Sequence, residues 1–104
     1  MWKVNGIDIQ MTEGDYGIAL PVTIEGIDHE VNDSVAFTVK DKVDGDPLIL
    51  NVYVFETAPT FDIIMDRNDE LPVGEYVYTM DWLRGTQFRC NIISCGVFRV
   101  VNKA

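Results

Sequence analysis

The stretch Glu75-Tyr76-Val77-Tyr78-Thr79-Met80-Asp81-Trp82-Leu83 decides the fold. Tyr76, Tyr78, Met80 and Trp82 recur with period two, while Glu75, Val77, Thr79 and Asp81 take the other parity. Wound into a helix, the four bulky side chains would be scattered around the cylinder. On a strand they share one face and supply a large part of a core.

The same period extends in both directions. Arg84-Gly85-Thr86 reads as a turn, after which Phe88, Cys90 and Ile92 resume an inward parity that Phe98 and Val100 continue. Gly96 marks either a bulge in one long strand or a turn between two short ones. Upstream, Phe61, Ile63 and Met65 face inward against Asp62 and Asp66, and a single helical turn fits between Asp66 and Leu71, just before Pro72. Val35, Phe37 and Val39 alternate with Ala36, Thr38 and Lys40, and Ile18, Leu20, Val22 and Ile24 share a face. Pro21 has no N–H for a ladder, so its strand belongs at an edge or carries a bulge. Turn-forming residues separate these runs at 13–15, 26–28, 44–47, 58–60 and 71–74. The pattern predicts an all-β fold: an immunoglobulin-like antiparallel β-sandwich of about seven strands in one domain spanning 1–104, with a small barrel as the second choice.

Composition bounds the function. Of 104 residues 47% are apolar, and eight Lys+Arg against 17 Asp+Glu give a formal charge of −9. Binding to phosphate backbones rests on Lys and Arg, so nucleic acid is not an expected partner. No run reaches the length of an apolar membrane span and the N-terminus carries no basic stretch or apolar h-region, so neither membrane partner nor signal peptide is expected. The charge is uneven: residues 1–34 hold Lys3 against Asp8, Glu13, Asp15, Glu25, Asp28, Glu30 and Asp33, whereas beyond Asp81 there are only Arg84, Arg89, Arg99 and Lys103. The two regions invite pairing, either as neighbours in one sandwich or between copies.

Chemical motifs are sparse. Cys90 and Cys95 lie too far apart along an extended strand for a disulfide and lack the CxxC spacing of a zinc or redox site, which predicts free thiols suited to a reducing cytoplasm. His29, between Asp28 and Glu30, is the single histidine and has no evident nucleophile to serve. The acidic groups Asp41/Asp44/Asp46 and Asp66/Asn68/Asp69/Glu70 lack EF-hand spacing. The expectation is therefore no enzyme, no catalytic residues, no metal and no cofactor. Tyr76, Tyr78 and Trp82 would stack sugars if exposed, which keeps a carbohydrate-binding module as the alternative, but Met80 on the same face favours a core.

Protein contact is the remaining class. From Leu48 to Phe55 both parities are apolar: Leu48, Leu50, Val52 and Val54 oppose Ile49, Tyr53 and Phe55, with Asn51 between. A strand apolar on both sides is covered on both sides, by a core and by a loop or a neighbouring chain. Trp2, Ile49, Tyr53 and Phe55 are the expected partner-contact residues.

Four segments in order resemble a family. Met11-Thr12-Glu13-Gly14-Asp15, Val35-Ala36-Phe37-Thr38-Val39-Lys40, Leu71-Pro72-Val73-Gly74-Glu75-Tyr76-Val77-Tyr78 and Gly96-Val97-Phe98-Arg99-Val100 are similar to the turn-and-strand signatures of the N-terminal β-sandwich domains of phage and prophage baseplate upper proteins. Thr79 stands where that pattern carries an acid, and Arg84-Gly85 where it carries Asp-Gly. The resemblance implies a tail or baseplate structural module or adaptor. It would be assembled as a homo-oligomer or with other virion proteins, in the host cytoplasm and then in the virion.

Overall fold

A computed structural model describes residues 2–26, 30, 32–55, 60–66 and 69–102, with the backbone alone at Arg89. His29 and Asp28, the turn at Ala58-Pro59, Asn68 and Lys103 lie outside the described residues. Eight strands follow in chain order: β1 (Lys3–Asn5), β2 (Asp8–Thr12), β3 (Leu20–Thr23), β4 (Asp33–Lys40), β5 (Pro47–Val54), β6 (Thr60–Ile63), β7 (Gly74–Arg84) and β8 (Gln87–Val101). They form a six-stranded sheet ordered β1-β2-β8-β7-β4-β5 and a two-stranded sheet of β3 and β6. One buried cluster draws on the inner faces of both sheets, so the fold is the expected all-β sandwich.

The sandwich is antiparallel at every pairing but one. β2 runs parallel to β8, with Ile9 opposite Phe98 and Met11 opposite Val100, so the large sheet is mixed. The cause is the β1–β2 hairpin, which turns at Gly6 with φ of 63° and delivers β2 to the β8 edge in the same direction as β8. Its sequence signal is Gly6 at the first position of the two-residue loop Gly6-Ile7, between Asn5 and its partner Asp8, where the positive φ favours glycine.

β7 forms as its period requires: Tyr76, Tyr78, Met80 and Trp82 are all buried on one face. It lies between β4 and β8, so its inner row meets Val35, Phe37 and Val39, each fully buried. Phe37 sits at the centre, with ring centroids 5.5 Å from Tyr78 and 6.0 Å from Phe98. Phe61, Ile63 and Met65 close the core from the second sheet, where Pro21 is exposed on a strand paired along one edge only. Within the expected helical turn between Asp66 and Leu71, residues 67 and 68 lie outside the described residues, and the Asp69 N–H donates to the Asp66 carbonyl at 2.9 Å.

β8 corrects one expectation. It is a single long strand, but Phe88 is exposed, and Cys90 and Ile92 are half-buried. The β7–β8 ladder slips in register between Tyr78/Met80, Met80/Asp81 and Trp82/Leu83. Each extra residue on β8 reverses the parity beyond it, so Phe88 shares a face with Leu83 while Phe98 lies beside the inward Tyr76. Both cysteines are free thiols.

Three tyrosines set the behaviour in alkali. Burial, with the Asp8 charge adding, pushes the Tyr78 hydroxyl up to about 12 from its ordinary value of 10.0, and burial also raises Tyr53 and Tyr76. A hydroxyl with a raised pKa stabilises the fold fully below its unfolded value, and that contribution is lost as pH climbs from 10 towards 12. Thermal melts across this window should therefore fall steeply, with Tyr78→Phe flattening the fall. A pH-independent melting temperature there would contradict the burial of these hydroxyls.

Candidate contact surface

The charge asymmetry resolves first, at the end of the core under Trp82. Asp33 begins β4 and is 1% exposed. Its carboxylate accepts from the Trp82 indole Nε1 at 2.9 Å, from Arg84 Nε at 3.1 Å and Nη2 at 3.2 Å, and from the Glu30 backbone N–H at 2.9 Å. The hydrogen bond from Arg84 outweighs the cost of burial and holds the carboxyl down at about 2. Arg84 also meets Glu30 at 3.4 Å. The acidic first third and the basic end thus pair within one chain at Arg84. Arg99 takes Glu75 on its neighbouring strand instead, at 2.9 Å.

The four expected contact residues are largely consumed inside the chain. Trp2 donates its indole N–H to the Ile18 carbonyl at 2.8 Å and lies edge-on to Phe98 at 6.2 Å. Ile49 and Phe55 are buried in the core. Tyr53 is half-buried, stacked on Phe61 at 5.7 Å, with its hydroxyl donating to the Ile64 carbonyl at 3.2 Å. The reason is register: β5 pairs with β4 so that Tyr53 lies opposite Val35 and Ile49 opposite Val39, both inward residues. That register depends on the whole sheet and cannot be read from the β5 sequence alone.

The opposite parity is the exposed one. Leu50 is 59%, Val52 53% and Val54 56% exposed, and Leu48 continues the row. β5 is the last strand of the large sheet, so this aliphatic row lies on the outer face of an edge. Across β4 it meets small residues, with Val54 opposite Ser34, Val52 opposite Ala36 and Leu50 opposite Thr38. Beyond Ser34 come Leu83 and then the exposed Phe88, which extends the apolar strip across the sheet. The two-sided apolar run signals this surface, but the exposed face is that of Leu50, Val52 and Val54 and not the expected one of Ile49, Tyr53 and Phe55.

An apolar cleft lies elsewhere, between the β1–β2 turn and β3. It measures about 280 Å³ and is lined mainly by Val4, Ile7, Leu20, Val22, Met80 and Ile93. The Tyr78 hydroxyl at its wall donates to the Ile7 carbonyl and stays protonated at neutral pH. The lining offers apolar contact and no carboxylate, imidazole or thiol. Among the described residues no cluster of His, Cys, Asp or Glu is arranged to hold a metal ion, and no helix is long and apolar enough to cross a membrane. Comparison with known proteins yields no match to a family model, a curated protein or a solved structure.

Proposed function

We propose that the chain is a non-enzymatic structural module that binds protein through the outer face of β5. One observation supports this above the rest: a charge-free aliphatic row standing exposed on the edge strand of a six-stranded sheet. An apolar row at a sheet edge attracts other chains and is ordinarily blunted by charge, proline or a covering segment. The resemblance of the turns and strands to baseplate domains suggests the setting, an oligomeric assembly in a phage or prophage tail. A sugar-binding role has less support, because Tyr76, Tyr78 and Trp82 are buried and Phe88 is the single exposed aromatic among the described residues.

The test is a paired substitution on the outer face. Leu50→Lys/Val52→Lys adds charge where side chains already face water, so the stability should stay within the range of ordinary surface changes, about 0.5 kcal/mol for each substitution. Tagged wild-type protein expressed in its native source should sediment in a complex much heavier than one chain, and the double variant should sediment as the free chain. Identical sedimentation of the two would remove the proposed surface.

A further inference from the structure

We infer that the occupant of this surface is a second copy of the chain, joined edge to edge through β5 in an antiparallel pair centred on Val52; the inference rests on the proposed contact role of β5. The direction of the backbone carries the argument. The Phe55 N–H donates to the Asp33 carbonyl at 2.8 Å, so the odd-numbered residues at this end of β5 turn their N–H and C=O towards β4. Successive residues of a strand point these groups to opposite sides. Leu50, Val52 and Val54 therefore turn theirs to the free edge, where no described strand pairs with them. Groups of this kind are completed by another extended strand.

The usual guards are confined to one end of this edge, where Pro47 lies opposite Lys40. Residues 47–55 contain no charged residue, although the chain carries −9. The one irregularity in the β4–β5 ladder falls at Val39/Lys40, at the far end from Val54. The strand itself brings no like charge into contact. Asp69, whose carboxylate accepts from Asn51 Nδ2 at 3.3 Å, stands at the inner side of the joint, and salt screens the repulsion between the two acidic chains there.

Self-complementarity selects the copy and its register. Antiparallel pairing keeps the outer row on one face only when even-numbered residues meet even-numbered ones. Centred on Val52, the pairing sets Leu50 against Val54 of the second copy and uses only residues 49–55, clear of the slip near Lys40. On the inner side Asn51 then stands opposite Tyr53 of the second copy. These are the two side chains already joined in one chain, where Asn51 Nδ2 donates to the Tyr53 hydroxyl at 3.2 Å. The two outer rows become one continuous aliphatic strip across the joined sheets.

Cross-linking reads this register directly. In a Cys90→Ala/Cys95→Ser background, Val52→Cys places two thiols on a hydrogen-bonded pair with Cα atoms about 5.5 Å apart, within the range a disulfide spans. Leu50→Cys alone, or Val54→Cys alone, places its thiols about 13 Å apart, too far to join. Under mild oxidation Val52→Cys should give roughly ten-fold more linked dimer than either single variant, and an equal mixture of those two should link to each other. Light scattering should show the wild-type mass rising towards two chains with concentration and salt, while Val52→Lys stays at one chain with an unchanged melt. A one-chain mass under all conditions, or equal linking at positions 50, 52 and 54, would overturn the inference. If the wild type remains a single chain but the Lys double variant still leaves the native complex, the second copy falls and the protein-binding reading stands.

Discussion

Replacing Asp33 with alanine should cost about 3–5 kcal/mol, enough to unfold a large fraction of the protein near its growth temperature. The carboxylate is buried beneath Trp82 and compensates Arg84 on the last turn of the β7–β8 hairpin. Removing it leaves the Trp82 indole N–H without its acceptor and the guanidinium without its buried counter-charge. Asp33→Asn should lose less, because an amide oxygen can still accept from the indole. The pH dependence follows from the depressed pKa: the contribution is complete above the unfolded value of 3.8 and disappears as pH falls towards about 2. The shift corresponds to about 2 kcal/mol, so the stability gap between the wild type and Asp33→Asn should narrow as pH falls from 7 through 3. Urea titrations at pH 7 and pH 3 measure both effects. An Asp33→Ala variant as stable as the parent would contradict the pinning of the core end by this carboxylate.

The second large effect is expected at Gly96. It lies opposite Tyr78 in the β7–β8 ladder, and the tyrosine ring occupies the space where a side chain would begin. A β-carbon placed on Gly96 falls well inside contact distance of the ring carbons, and the ring is buried with its hydroxyl held by Ile7. Neither partner can retreat, so Gly96→Ala should cost roughly 3 kcal/mol, at the upper end for overpacking. The penalty is specific to the pair. In a Tyr78→Leu background the same alanine should cost under about 1 kcal/mol, giving strong coupling in a double-mutant cycle. Additive losses would show that the glycine serves the strand and not the ring.

Gly96 illustrates how much of this protein its sequence discloses. The period-two rows at Val35–Val39, Phe61–Met65 and Tyr76–Trp82 place their side chains correctly, because each lies in a strand without a bulge on the inner face. β8 defeats the same reading: its register slips accumulate along the ladder, and nothing in Asn91-Ile92-Ile93-Ser94 distinguishes an added residue from a regular one. The β1–β2 hairpin leaves only a faint trace, Gly6 at the head of a two-residue loop, because β1 has three residues and its apolar alternation is too short to stand out. At the contact surface the two-sided apolar character of β5 was evident, but its orientation was not. Both rows are apolar enough to enter a core, and only pairing with β4 decides that Ile49 and Phe55 do so and that Leu50 and Val52 do not. The opposed charges of the two ends were likewise visible, and the buried Asp33–Arg84 contact takes one of them inside the chain.

The central claim is that the free edge of β5 is the element through which the chain meets another. Residue-resolved amide exchange over a dilution series tests it most directly. At high dilution Leu50, Val52 and Val54 should exchange rapidly while Tyr53 and Phe55 are protected, because only the odd-numbered amides are bonded to β4. As concentration rises, protection should grow at those three even-numbered amides, with little change on β3 or β6. Protection at Leu50, Val52 and Val54 that is already complete at high dilution, or that stays flat while the protein associates, would contradict the account.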